Sequence, residues 1–291
     1  MTNERSAVAH GVTTLPNLRG EHASQSPFRG VFGRTHVGHR RSRNEDHFLV
    51  LDVERCVLIR QSSLEVNRGI SGTVGSLVVV ADGMGGHSNG ELASAITLDT
   101  LVSYVARSMP MADASVDVQS ALRTGFQAAA LECQRRMREA AVRKGQPTDL
   151  GTTLTAVYAV DRRAEIVHVG DSRAYLLRND GRLLQLTRDH TVAGQLSGTG
   201  QEITGRFANL LTNSIGGRGE DAPNVDGGPI DLVDGDKLLV CTDGLTKHLD
   251  DATIEQTLFH AETAESAVDA LVDATLETEA SDNVTAVVAY V

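Results

Sequence analysis

Short apolar runs separated by turn residues recur along this chain, and they limit the folds open to it. Leu77-Val78-Val79-Val80-Ala81 and Leu238-Leu239-Val240-Cys241 are the strongest. Such runs are short and bounded by turn signals, as strands are. The pattern predicts strands at Val31–Val37, His47–Asp52, Arg55–Ile59, Ser76–Ala81, Thr152–Val160, Glu165–Val169, Ala174–Arg178, Leu183–Thr187, Lys237–Cys241 and Val284–Val291. Asn179-Asp180-Gly181, lying between two of them, predicts a hairpin. Helical periodicity appears in three places. One helix follows Ser88-Asn89-Gly90-Glu91, a capping-box pattern, and places Leu98, Leu101, Val102 and Val105 on one face. A second carries Phe126, Ala129, Ala130, Cys133 and Met137, and a third Ala267, Ala270, Leu271 and Ala274. That many strands do not fit one flat sheet beside so few helices. Two packed sheets with helices on the outside bury the apolar residues better.

Residues 1–29 mix Ser, Asn, Pro, His and charges without periodicity and read as a disordered tail. Residues 30–291 then form a single domain. The polar, glycine-bearing stretches Val53–Gly75 and Ser197–Gly219 read as long loops. Aromatics are only 3% of the chain, so Val, Leu, Ile and Ala must fill the core. The net charge of −11 argues against a nucleic-acid partner, which would require a basic face. The three cysteines, Cys56, Cys133 and Cys241, are widely spaced, which supports neither a disulfide framework nor a thiolate zinc site. No signal-peptide-like run opens the sequence, and no apolar run is long enough to span a bilayer. The expected setting is a reducing cytoplasm with no membrane attachment.

Five aspartates stand at the edges of apolar strands: Asp46, Asp82, Asp171, Asp243 and Asp282. Strand ends converge on one rim of a sheet, so carboxylates there can meet in space. Hard cations such as Mg²⁺ and Mn²⁺ take oxygen ligands of this kind. Asp-Gly is also a common turn dipeptide. It occurs at Asp82, Asp180, Asp226, Asp234 and Asp243, so turn chemistry alone accounts for most cases. Asp82 and Asp243 stand apart because each ends a strongly apolar run.

Six motifs, in order, carry more information than any one alone. They are Arg41-Ser42-Arg43-Asn44-Glu45-Asp46, Ala81-Asp82-Gly83-Met84-Gly85-Gly86-His87, Gly151-Thr152-Thr153, Val169-Gly170-Asp171-Ser172-Arg173, Thr242-Asp243-Gly244-Leu245 and Ser281-Asp282-Asn283-Val284. This set resembles the type 2C, or PPM, metal-dependent serine/threonine protein phosphatases, most closely the bacterial branch. The resemblance implies an α+β fold: a central β-sandwich of two antiparallel sheets flanked by helices, in α-β-β-α layers. It also implies two Mn²⁺ or Mg²⁺ ions per active site. In that family the position matching Asp82 bridges both ions, and the carbonyl matching Gly83 binds one. The positions matching Asp243 and Asp282 complete the other shell, and Asp46 matches an acid acting through bound water. Asp171 matches a ligand of a third, weaker ion. Arg41 matches the arginine that grips the substrate phosphate. The implied reaction is in-line hydrolysis of phosphoserine and phosphothreonine proteins without a covalent intermediate, with a cognate Ser/Thr kinase as an expected partner. Many eukaryotic members carry a leaving-group histidine where this chain has Met84. That leaves water or His87 as the acid, with water preferred and His87 otherwise a candidate substrate contact.

Other readings compete. Gly170-Asp171-Ser172-Arg173-Ala174 approaches the G-x-S-x-G elbow of a serine hydrolase with Ser172 as nucleophile, but that elbow needs a following helix where the pattern here reads strand. The loop after Leu77–Ala81 lacks the glycines of a dinucleotide site. A phosphoprotein-binding pseudophosphatase would be expected to lose its aspartates, and here all are present.

Overall fold

The computed structural model describes residues 26–57, 70–85, 89–108, 118–145, 150–197, 205, 207–217 and 222–291. In chain order, strands β1 (Gly30–His36), β2 (Asp46–Val57) and β3 (Ile70–Met84) precede helices α1 (Asn89–Ser108) and α2 (Val118–Lys144). Strands β4 (Gly151–Thr152), β5 (Leu154–Val160), β6 (Arg163–Val169), β7 (Arg173–Leu177) and β8 (Leu183–Gln185) follow. Helix α3 (Val192–Leu196) leads to β9 (Ile215–Gly216), β10 (Asp226–Asp231) and β11 (Lys237–Cys241). Helices α4 (Asp243–Thr246), α5 (Asp251–His260) and α6 (Ala264–Leu276) come before β12 (Val284–Tyr290).

Two antiparallel sheets result. One runs β1-β12-β11-β7-β8; the other runs β10-β6-β5-β3-β4-β9, with β2 paired to β3. Alternation along the strongest runs explains the layering. In β3, Leu77, Val79 and Ala81 pack with Leu101, Phe126 and Met137 of α1 and α2. Val78 and Val80 of the same strand point the other way, toward Leu238, Val240 and Val287 of the opposite sheet. In β11, Leu239 and Cys241 face Leu271 and Val272 of α6. Such strands are covered on both faces, which is why they read as continuous apolar runs. The layers are helix, sheet, sheet, helix, and the α+β sandwich expected from the sequence is what the chain forms.

Helix α6 buries Ala264, Ala267, Val268, Leu271, Val272 and Thr275, a stripe at i, i+3, i+4, i+7, i+8. Its start is fixed by Thr263 and Ser266, whose side chains reciprocally cap the first turn. Ala270, assigned to the core face from the sequence, is exposed, and so is Val102 of α1. Each lies one position beyond its buried stripe.

Four further sequence expectations need correction. Helices α3, α4 and α5 were not anticipated. In α5 only Ile254 and Leu258 are buried, too sparse a stripe to announce a helix. The stretch Val53–Gly75 is not simply a loop: β2 and β3 extend into it as one hairpin, with a register shift at Val53/Glu54. Residues 58–69 between them lie outside the described residues. Within 197–219, Ile215 and Gly216 form β9, which pairs with β4. Finally, Phe28, placed in the N-terminal tail by composition, is 5% exposed and joins the core between the sheets.

Candidate active site

The strand register brings the aspartates together. Asp46 opens β2 directly opposite Asp82 near the end of β3. Asp243 begins α4 just after β11, Asp282 lies two residues before the start of β12, and Asp171 sits in the turn between β6 and β7. All lie at one end of the sandwich. A cleft of about 1050 Å³ there is lined by Arg41, Asp82, Gly83, Asp171, Asp243 and Asp282, among others.

Asp46 lies beneath this cleft, 3% exposed. Its Oδ2 accepts hydrogen bonds from the Thr242 and Thr285 hydroxyls, at 2.8 and 2.7 Å. Its Oδ1 is buried without a hydrogen-bond partner, and so is Asp243 Oδ1. An unpaired buried carboxylate oxygen is costly, and a cation is one of the few groups that can satisfy it. The acidities say the same. Burial pushes the Asp82 carboxyl well above the usual carboxylate range, and repulsion from Asp46 and Asp243 adds to it. Burial raises Asp46 to about 7. Asp171 also rises to about 7, from burial and then from Asp243. Without positive charge the cluster resists ionisation.

Two cations of the chain itself stand among these acids. Arg41 places Nε 2.8 Å from Asp282 Oδ1 and Nη2 3.0 Å from Asp282 Oδ2. Lys247 Nζ lies 2.5 Å from Asp243 Oδ2 and 3.1 Å from Asp282 Oδ2. Burial opposes ionisation of Asp282, but Lys247 and Arg41 outweigh it and hold its carboxyl below the ordinary range. Among the described residues, no three His, Cys, Asp or Glu side chains converge tightly enough to enclose an ion alone. The fit to a divalent cation rests instead on the all-oxygen donor set, the two orphaned oxygens and the mutual repulsion of the acids, with water completing any shell.

Gly83 earns its place sterically. A Cβ there would fall 2.1 Å from the Gly90 carbonyl oxygen and 2.7 Å from that of Glu45. The Asp82-Gly83 step therefore lets β3 pass against the start of α1. Met84 lines the cleft wall, and His87 lies outside the described residues. Ser172 is fully buried, its hydroxyl 2.7 Å from that of Thr153, and strand β7 follows it, so no nucleophile elbow forms.

Sequence reasoning gave no role to three residues that shape the site. Glu45 lines the cleft beside Asp82, and burial lifts its carboxyl above the ordinary range. Lys247 is the second cation. Asn283 is a clamp: its Oδ1 accepts the Glu45 N–H at 2.8 Å, and its Nδ2 donates to the carbonyls of Val37 and Arg43, each at 2.9 Å. It ties the Arg41 loop to β12. A side-chain amide flanked by a site aspartate and an apolar strand was the available signal.

The family description for protein phosphatase 2C matches residues 69–288. The serine/threonine protein phosphatase PstP of Mycobacterium tuberculosis is 36% identical over 221 residues, 74% of this chain. The chain spans only 40% of that relative's length. The protein phosphatase PhpP of Streptococcus pneumoniae is 31% identical over 227 residues, covering 76% of this chain and 80% of that protein. Among solved structures, the catalytic domain of PstP in complex with two manganese ions superposes with a TM-score of 0.66 at 30% identity, covering 89% of this chain and 96% of that one. With its fold, its rim of aspartates and these relatives in agreement, the chain belongs to the protein phosphatase 2C family.

Proposed function

We propose that residues 30–291 form one catalytic domain of a metal-dependent protein serine/threonine phosphatase. The observation that carries this reading is the pair of buried, unpartnered oxygens on Asp46 and Asp243, in a cleft that also holds Arg41. Asp82, the Gly83 carbonyl, Asp243 and Asp282 would hold two Mn²⁺ or Mg²⁺ ions, with Asp46 acting through water and Asp171 holding a third. Bound divalent cations supply a more acidic water and positive charge for the phosphoryl oxygens.

The chain's own residues supply the rest. Arg41 presents a planar fork that can pass from Asp282 to two phosphate oxygens, with charge-assisted hydrogen bonds. Asn283 fixes the loop that carries it. Thr242 and Thr285 hold Asp46 so that its free oxygen is the buried Oδ1. Among the described residues the cleft contains no cysteine or histidine. The family resemblance implies direct hydrolysis without a covalent intermediate, and Met84, at the position where many eukaryotic members carry a leaving-group histidine, favours water as the proton donor. His87 is assigned a contact to substrate. No helix among the described residues is long and apolar enough to cross a membrane, which is consistent with a cytoplasmic enzyme acting on phosphoproteins, with a cognate Ser/Thr kinase as its partner.

The test is turnover of p-nitrophenyl phosphate and a phosphothreonine peptide with Mn²⁺, Mg²⁺ or EDTA. Activity should require metal and should be lost in Asp82→Asn and Asp243→Asn. Turnover in EDTA, or undiminished turnover in those variants, would sink the mechanism.

A further inference from the structure

A second hollow of about 510 Å³ is lined by Arg188, His190, Asn213, Asn224 and Asp226, among others. None of these residues has a part in the reaction described above. His190 is 8% exposed and joins three separate segments of chain. Its backbone N–H donates to the Gly170 carbonyl at 2.7 Å, and its own carbonyl accepts from the Thr212 N–H at 2.8 Å. Its ring Nδ1 faces the Gly170 N–H at 3.1 Å and Asn213 Nδ2 at 2.8 Å. A ring nitrogen facing two N–H donors cannot itself carry a proton. The proton is therefore on Nε2, which donates to Asp226 Oδ2 at 2.9 Å. Asn224 closes the set: its side chain donates to Asp226 Oδ1, and its backbone pairs with the Asn213 side chain in both directions.

The point of attachment matters. Gly170 immediately precedes Asp171, whose carboxylate lines the cleft. It has φ +113°, and a Cβ there would meet Thr153 Cγ2 at 2.5 Å. Only glycine suits this position, and glycine is the residue least able to fix its own conformation. The conformation is set from outside, because His190 takes both the N–H and the carbonyl of Gly170. On the far side of Asp171, Ser172 is held by Thr153, whose Oγ1 also accepts the Asp82 N–H at 3.0 Å.

We propose that His190, oriented by Asp226 and Asn213, is a positioning residue that sets the Asp171 carboxylate against the cleft. This second hollow is thereby coupled, through Gly170, to one cation position. This rests on Asp171 being a cation ligand.

Two measurements on the full chain test it: the exchange rate of the Gly170 amide by NMR without metal, and direct Mn²⁺ titration by calorimetry or EPR. Asp226 is 52% exposed at its side chain, so its substitution leaves the core packing untouched. Asp226→Ala and His190→Ala should accelerate exchange at Gly170 by about tenfold or more. They should also weaken the weakest class of Mn²⁺ sites by about tenfold while sparing the tighter class. Asp226→Asn, which keeps an acceptor for Nε2–H, should restore both. In an Asp171→Asn background, Asp226→Ala should weaken Mn²⁺ no further. Unchanged Gly170 exchange in Asp226→Ala, equal weakening of every class of site, or additivity with Asp171→Asn would overturn the proposal. Absence of any Mn²⁺ binding by the parent protein would instead overturn the metal-dependent reading, and Gly170 exchange would still report on the clamp.

Discussion

Replacing Asp46 by Asn should stabilise the metal-free protein, and more so as the pH rises. The carboxyl is buried, with one oxygen on two threonine hydroxyls and the other unpartnered. Burial, opposed by those hydroxyls and reinforced by Asp243 and Asp282, moves it from an ordinary 3.8 to about 7. The folded state thus holds this proton more tightly than the unfolded chain. The stability it contributes is complete below pH 3.8 and is lost as the pH rises through about 7. At about 1.4 kcal/mol per pH unit, that interval corresponds to on the order of 4 kcal/mol, of which roughly 2–3 kcal/mol falls between pH 5 and 8. Asn cannot ionise and escapes the loss, while its amide still offers an oxygen to the two hydroxyls. Burial depresses His168 to about 4, so it titrates within part of this window, but it is common to both proteins and cancels in their difference. The assay is thermal unfolding in EDTA from pH 5 to 8. The gap in Tm should widen in favour of Asp46→Asn by roughly 5–10 °C. Saturating Mn²⁺ should reverse the order, because the cation favours the ionised carboxylate. A Tm gap that stays constant from pH 5 to 8 would refute the reasoning.

Other perturbations probe the remaining parts. Arg41→Ala should raise KM for a phosphopeptide by roughly 10–100-fold, the worth of one or two charge-assisted hydrogen bonds, with a smaller change in kcat; an unaltered KM would remove Arg41 from phosphate binding. Asn283→Ala leaves the Glu45 N–H and two carbonyls unpaired, so denaturant titration should show a loss of about 1–3 kcal/mol, and turnover should fall as the Arg41 loop loosens. Leu271→Ala removes a fully buried side chain from the α6 core and should cost about 2–5 kcal/mol in the same titration without changing KM.

The doubly buried strands were legible because both faces of β3, β11 and β12 are apolar, which gives an unbroken run in the sequence. The Asn179-Asp180-Gly181 hairpin was legible from turn chemistry, and Gly181 adopts the expected positive φ, +88°. Strand β10 was not: Asp226-Gly227-Gly228-Pro229-Ile230-Asp231 is largely exposed, and its pairing to β6 is what makes it a strand. Helix α5 owes its start to Asp250, whose side chain accepts from the Thr253 N–H, and its end to Lys237, which donates to the Leu258 and Ala261 carbonyls from β11. The second of these is a distant contact that no local pattern announces. The aspartates were visible as strand-end acids, but their convergence depends on register, as with Asp46 opposite Asp82. Asn283 escaped notice because it acts across the fold, on Glu45, Val37 and Arg43; Lys247 pairs with Asp243 four residues away, but its reach to Asp282 depends on the fold.

The order β1-β12-β11 also governs when the molecule can become itself. Strand β12 comes last of these elements along the chain yet lies between the other two, with Gly30 opposite Tyr290 on one side and Lys237 opposite Tyr290 on the other. During synthesis, the sheet carrying β3 and β5 can assemble while β1 and β11 still lack their shared neighbour. Asp282, which leads into β12, arrives with it. Closing so large a loop is slow, and the exposed edges are vulnerable while they wait. A nascent chain that still lacks β12 is therefore expected to lack both the closed sheet and Asp282.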